Sequence, residues 1–196
     1  GTEVLGSLSD VDHRHLVGAG TVGYVTGVTA GAGEELVRFD ADGNLTVIDI
    51  YPGVGSSTPD EVTVASDGTV FLEAETPGDG NELVRVTAAG VVDAIDLNDG
   101  GDTFISQIAV ADGAVYYSEF DGSLHRIPDG GVDPAFMLQD LETLAPTDVD
   151  WMTTLVDGAQ EYLILASGSP TRLLRIADNG ANPSEVSATF VPDGPV

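Results

Sequence analysis

The sequence predicts an all-β fold of repeated antiparallel sheets, and three observations carry that expectation. The first is a repeat. Leu-x-Arg, an apolar residue, and a glycine five positions after the arginine occur four times: Leu36-Val37-Arg38-Phe39 with Gly43, Leu83-Val84-Arg85-Val86 with Gly90, Leu124-His125-Arg126-Ile127 with Gly131, and Leu173-Leu174-Arg175-Ile176 with Gly180. The arginines lie 47, 41 and 49 residues apart, and they account for four of the six basic residues in the chain. The second observation is the turn chemistry. Asp67-Gly68, Asp112-Gly113, Asp121-Gly122 and Asp157-Gly158 separate apolar runs rich in β-branched and aromatic residues, and Asp-Gly suits the positive φ of a tight hairpin turn. The third is that no segment sustains a 3.6-residue apolar period with caps, so little helix is expected. A period of about 40–50 residues built from short strands is the pattern of a β-propeller, one four-stranded blade per repeat.

The blades fall at about 12–50, 60–97, 105–138 and 148–190 within a single domain spanning 1–196. In the first, strands are expected at Arg14–Gly18, Val22–Thr29, Glu35–Asp40 and Leu45–Ile50, with Gly20 standing where other repeats have Asp-Gly. The second gives Glu61–Ala65, Thr69–Glu75, Glu82–Thr87 and Val91–Leu97, with a longer loop at Pro77–Asn81. The third gives Ile105–Val110, Ala114–Phe120, Ser123–Pro128 and Asp133–Leu138, and the fourth Val149–Leu155, Gln160–Ala166, Arg172–Ala177 and Glu185–Phe190. Thr2–Leu8 reads as one more strand, like the outer strand of a preceding blade. The fourth repeat already owns its fourth strand, so two architectures stay open: a closed four-bladed ring, and part of a larger propeller.

Charge narrows the function classes. Thirty-three acidic residues stand against six Arg and no Lys, for a formal net charge of −27. Such a chain repels phosphate backbones, which argues against nucleic-acid binding, and no stretch reads as a membrane-inserting helix. Self-repulsion on this scale calls for screening by salt or for bound cations, so the acidity points to a salt-adapted (halophilic) protein or to an extracellular one that takes Ca²⁺. There is no Cys, which removes disulfides, thiolate metal sites and a cysteine nucleophile. The chain begins at Gly1, and removal of a leader or upstream region is expected.

Asp67-Gly68-Thr69-Val70-Phe71 followed by Leu83-Val84-Arg85-Val86 resembles an NHL-type blade. Ala114-Val115-Tyr116-Tyr117-Ser118 with Asp121 to Pro128 resembles a YWTD-type blade. The style is also that of the SMP-30/lactonase group. These resemblances imply the propeller architecture, which hosts many unrelated activities.

Acids collect before or within the first strand of several repeats: Asp12 beside His13 and His15, Asp60 with Glu61, and Asp148 with Asp150. First strands line a propeller's channel, so Asp12, Asp60, Glu61, Asp148 and Asp150 are the candidate metal ligands, and hard oxygen donors suit Ca²⁺. In SMP-30-like enzymes, metal-binding carboxylates occupy comparable channel positions; the third repeat here offers only Ser106 and Gln107. The repeated arginines read as structural ties between blades. Asp40-Ala41-Asp42-Gly43-Asn44 reads as a hairpin turn, since it fails the EF-hand spacing. Trp151, Tyr116, Tyr117, Tyr162 and Phe71 are expected in blade cores, with Tyr24 and Tyr51 better placed to face a ligand.

The expected function is a non-catalytic extracellular or cell-surface binding or scaffold module, holding a protein or glycan ligand on one loop face. Two alternatives stand beside it: a metal-dependent lactonase- or esterase-like hydrolase with a cation in the channel, and a structural subunit of a surface assembly. No catalytic or cofactor-binding residue is assigned.

Overall fold

The computed structural model describes residues 10–29, 33–53, 55–78, 80–98, 101–128, 149–158, 160–168, 171–178 and 186–191. It forms two compact units, Gly1–Phe104 and Ile105–Val196. Every described element is a strand, and all pair antiparallel.

The first unit holds two four-stranded meanders. One runs β1 (Asp10–Ala19), β2 (Val22–Thr29), β3 (Gly33–Asp40), β4 (Leu45–Ile48); the other β5 (Asp60–Val64), β6 (Val70–Thr76), β7 (Gly80–Val86), β8 (Val92–Ile95). The second unit holds β9 (Ile105–Ala111), β10 (Ala114–Glu119) and β11 (Leu124–Ile127), then β12 (Trp151–Asp157), β13 (Gln160–Gly168), β14 (Thr171–Asp178) and β15 (Val186–Val191). The strands expected at Thr2–Leu8 and Asp133–Leu138 lie outside the described residues.

Register explains the repeat. The arginine on each third strand faces the second strand: Arg38 opposes Tyr24, Arg85 opposes Phe71, Arg126 opposes Tyr116 and Arg175 opposes Ile164. Leu36, Leu83 and Leu124 of the motif are fully buried, as are Val37 and Val84 on the other face of their strands. Central blade strands are covered on both faces, so they read as near-continuous apolar runs. Arg85 Nη2 pairs with Asp93 Oδ2 at 2.6 Å on neighbouring β8, and Arg126 Nε donates to Tyr116 Oη at 3.3 Å, its guanidinium 5.9 Å from that ring's centre. These two contacts join neighbouring strands of one blade.

The glycine five residues on closes the next turn. Gly43 and Gly90 take φ of +84° and +82°, and their N–H groups donate back to Asp40 O and Thr87 O. Asp112-Gly113 adopts φ of +48° and +76° between the paired Ala111 and Ala114, the two-residue hairpin that Asp-Gly favours.

Blades stack within each unit through opposite faces. Tyr24, Leu36, Ile48 and Ile50 of the first sheet pack with Val70, Leu72, Ala74, Val84 and Val86 of the second. In the other unit Tyr116, Leu124 and Ala109 pack with Met152, Leu163 and Leu165. The face that carries the aromatic opposite arginine meets the reverse face of the next blade in both.

Candidate functional site

The inner strands bring Asp12 and Asp60 to corresponding places. Asp12 on β1 opposes Thr26, and Asp60 at the start of β5 opposes Glu73; Thr26 and Glu73 each lie two residues after the residue facing arginine. β1 and β5 are neighbours. Strand register breaks directly after both aspartates, between Asp12 and Val17 and between Asp60 and Thr63. Around Asp60 the cause is backbone conformation: Thr58 (φ +41°) and Glu61 (φ +46°) are left-handed without being glycine, a conformation costing about 1–3 kcal/mol each. The Glu61 N–H donates to Asp60 Oδ1 at 3.0 Å.

Glu73, only 8% exposed, was not singled out by sequence. Its signal was positional, since it stands directly opposite a candidate ligand on the paired strand. Two facing carboxylates repel unless a cation or proton lies between them. Asp150 is exposed, immediately precedes β12 in the second unit, and its N–H donates to Ala166 O at 2.9 Å. Asp148 lies outside the described residues. Among the described residues no three His, Cys, Asp or Glu are grouped to hold a metal.

Two buried glutamates form a device the sequence reading passed over. Glu35 and Glu82 both stand three residues before the repeated arginine, within an identical Glu-Leu-Val-Arg, and both are fully buried. Each accepts the backbone N–H fifteen residues downstream: Glu35 Oε2 from Ile50 at 2.9 Å, Glu82 Oε2 from Leu97 at 3.1 Å. Glu35 also accepts from Ser57 N at 3.3 Å and Ser57 Oγ at 2.8 Å. The glutamates latch the segment that leaves each blade onto its third strand. Burial pushes the Glu35 carboxyl above the usual range, against the opposing pull of the Ile50 and Ser57 donors. The exact Glu-Leu-Val-Arg repetition was the available signal.

In the second unit the β10–β11 turn gathers Glu119, Asp121, Ser123 and His125. His125 Nε2 lies 2.8 Å from Ser123 Oγ and 3.3 Å from Glu119 Oε1, and its ring stacks on Tyr117 at 4.8 Å. Ser123 Oγ donates to Asp121 Oδ1 at 2.7 Å, and Ser123 N donates to the same oxygen. The residues are those of a hydrolytic triad, but the geometry is not. A serine nucleophile needs His Nε2 as proton acceptor and a carboxylate on Nδ1; here the nearby carboxylate is on the Nε2 side, and His125 Nδ1 is buried without a partner. The network instead fixes the turn. The two Ser123 donors hold the Asp121 carboxyl below the usual range.

That rigid turn presents Phe120, 78% exposed between Glu119 and Asp121. Other aromatics depart from expectation. Tyr24 is core rather than ligand-facing, and Tyr51 packs its ring against Gly55. Trp151, expected in the core, is half exposed, whereas Tyr116, Tyr117 and Phe71 are buried as expected. Asp40 forms the expected turn: Oδ1 accepts from Asp42 N and Asn44 N, and Oδ2 from Asn44 Nδ2, so its carboxyl is held low.

No protein-family model and no curated protein matches this chain. Solved structures do. Puromycin hydrolase, as a mutant complexed with PGG, matches with a TM-score of 0.53 and 15% identity, covering 89% of this chain and 28% of that one. A second puromycin hydrolase structure matches with a TM-score of 0.52 and 14% identity, covering 90% and 28%. Bacteroides ovatus Xyloglucan PUL GH43B matches at 0.45 and 16%, covering 97% and 42%. The chain is an all-β protein of propeller-type fold, and it spans under a third of the length of puromycin hydrolase.

Proposed function

We propose that the chain is a non-catalytic binding or scaffold module of the extracellular space or cell surface, acid-rich and adapted to salt or calcium. Its Asp67–Phe71 and Leu83–Val86 segments favour an NHL-like blade lineage. Phe120 carries the reading: a large aromatic is held in solvent on a turn whose side chains are locked by Asp121 and Ser123. Rigid aromatic anchors with polar neighbours are what recognition surfaces use. The ligand is a protein or glycan that stacks on this ring and offers donors to Glu119 and Asp121.

Calcium, where it binds, has its best donors in Asp60, Glu61 and Glu73, with Asp12 adjacent in the same unit; Asp148 and Asp150 remain candidates beside β12. Two experiments test the reading. Screening of glycan and extracellular-protein arrays is expected to give ligands lost on Phe120→Ala with unchanged unfolding midpoint. No Phe120-dependent ligand, together with divalent-cation-dependent hydrolysis of lactones or esters, would replace the module with the enzyme. Unfolding in a grid of NaCl, CaCl₂ and EDTA then separates the two origins of acidity: EDTA-reversible stabilisation at low-millimolar Ca²⁺ marks a site, and a response to molar salt alone marks solvent adaptation.

A further inference from the structure

We infer that Asn44 carries an N-linked glycan, and that this glycan guards the outer edge of the first blade. The inference rests on the extracellular or cell-surface setting already proposed. Asn44-Leu45-Thr46 has the Asn-x-Ser/Thr pattern that accepts a sugar on asparagine. No other asparagine in the chain offers it. Asn81, Asn98 and Asn179 lack a hydroxyl two residues on, and Asn182 is followed by Pro183.

The structure gives the pattern an accessible and compatible place. Asn44, Leu45 and Thr46 are all exposed, where the turn after β3 leads into β4. Asp40 organises that turn, accepting from Asp42 N and Asn44 N on Oδ1 and from Asn44 Nδ2 on Oδ2 at 2.8 Å. Transfer joins Asn44 Nδ2 to the anomeric carbon of an activated glycosyl phosphate donor. One amide N–H bond and the donor's carbon–oxygen bond break, the N–C bond forms, and the proton leaves with the phosphate. A second N–H stays on Nδ2, and one is all that the Asp40 bond uses. The turn can therefore keep its geometry with the sugar in place.

The edge supplies the reason for a sugar here. β4 is an end strand of its described sheet. Such a strand invites the backbone of another chain, and proteins protect it with charge, proline, a bulge or a cover. Leu45–Ile48 has no charge and no proline, and it pairs with β3 without a break in register. The second blade solves the same problem with charge: Asp93 stands opposite Arg85 on β8 and pairs with it at 2.6 Å. In the first blade the position opposite Arg38 is Thr46, the hydroxyl residue of the glycosylation pattern. Bulk on Asn44 takes the place of the missing carboxylate.

The test is peptide mapping by mass spectrometry of the protein isolated from its own cells, with the secreted, surface and intracellular fractions kept apart. Trypsin releases Phe39–Arg85 as one peptide, since no Arg or Lys lies between. The expected result is sugar mass on that peptide, located at Asn44 by fragmentation, with the intact protein above 20.1 kDa. Thr46→Val, made in the same cells, removes the pattern and leaves Asn44 free to bond Asp40. It should lose the sugar, keep the wild-type circular dichroism spectrum, and self-associate with rising concentration in light scattering at molar NaCl. A secreted or surface protein with bare Asn44 overturns the inference and leaves the proposed setting standing, whereas an intracellular protein with bare Asn44 overturns both. Sugar that persists in Thr46→Val overturns the assignment to Asn44. A bare Thr46→Val protein that stays monomeric at every concentration overturns the guarding role.

Discussion

Glu35 gives the most searching test of how this sequence holds its blades. Its carboxylate accepts from three donors, Ile50 N, Ser57 N and Ser57 Oγ, in a fully buried position. Glu35→Ala strands Ile50 N, whereas Ser57 N and Ser57 Oγ keep the Glu34 carbonyl, each at 3.1 Å. A buried donor stranded in this way costs about 1–3 kcal/mol. Against a total of about 5–15 kcal/mol for an ordinary domain, that is a loss readily measured in the unfolding of the first unit. Glu35→Gln is gentler. One carbonyl oxygen keeps Ile50 N and Ser57 Oγ, while the amide faces Ser57 N, the longest of the three bonds, at a cost of about 1 kcal/mol.

The pH dependence fixes the sign. Burial raises the Glu35 carboxyl above its unfolded value. Its contribution is fully present below the unfolded value of about 4.3 and is lost as pH rises through the raised native one. Glutamine does not titrate, so the wild type's advantage over Glu35→Gln should shrink as pH rises from about 4 to above the native value. Urea unfolding of both proteins, followed by circular dichroism in molar NaCl, measures this difference directly. A difference constant with pH, or one that grows as pH rises, would refute the argument that burial dominates at this carboxyl.

Other outcomes follow from local geometry. Gly23→Ala drives a methyl into the Phe39 ring, so it should cost about 1–3 kcal/mol, and adding Phe39→Leu should recover most of it in thermal melts. Asp40 and Asp121 have depressed carboxyls. Their stabilisation is present above the unfolded value of about 3.9 and is lost as pH falls through the lower native values, so Asp40→Asn and Asp121→Asn should flatten the acid limb of a pH–melting curve. Asp93→Asn removes the partly exposed Arg85 pair and should shift a urea midpoint by less than about 1 kcal/mol equivalent; a loss above about 2 would mean the pair is far better shielded than its exposure implies.

Much of the fold was legible because sheet structure writes itself locally. Leu-x-Arg marks a third strand, since leucine and arginine two apart share a face; the glycine five residues on marks the turn that must go left-handed, as Gly43 and Gly90 do. What periodicity cannot report is which face a neighbouring blade covers. Trp151 and Tyr24 carry similar strand signals, yet Tyr24 is sealed by the second sheet and Trp151 is open. The acids of the candidate site were legible as types and positions. Glu73 was not, because its proximity to Asp60 exists only once β5 and β6 pair.

The same distinction divides the charge itself. Asp40, Asp42, Asp67 and Asp121 lie in turns, where backbone donors meet several of their carboxyls at the surface, and their mutual repulsion is the kind that mobile ions screen within a few ångströms at molar salt. Glu35 and Glu82 are shielded from those ions by the blades that bury them. A salt series therefore acts on the first group and leaves the second nearly untouched, whereas a pH series between about 4 and 8 acts on the raised Glu35 and leaves Asp40 and Asp121, whose carboxyls are held low, ionised. Stability measured along both axes should factor into two nearly independent contributions. Strong coupling between them would mean that ions reach the interior latches, and that the blades open at their outgoing segments before they unfold.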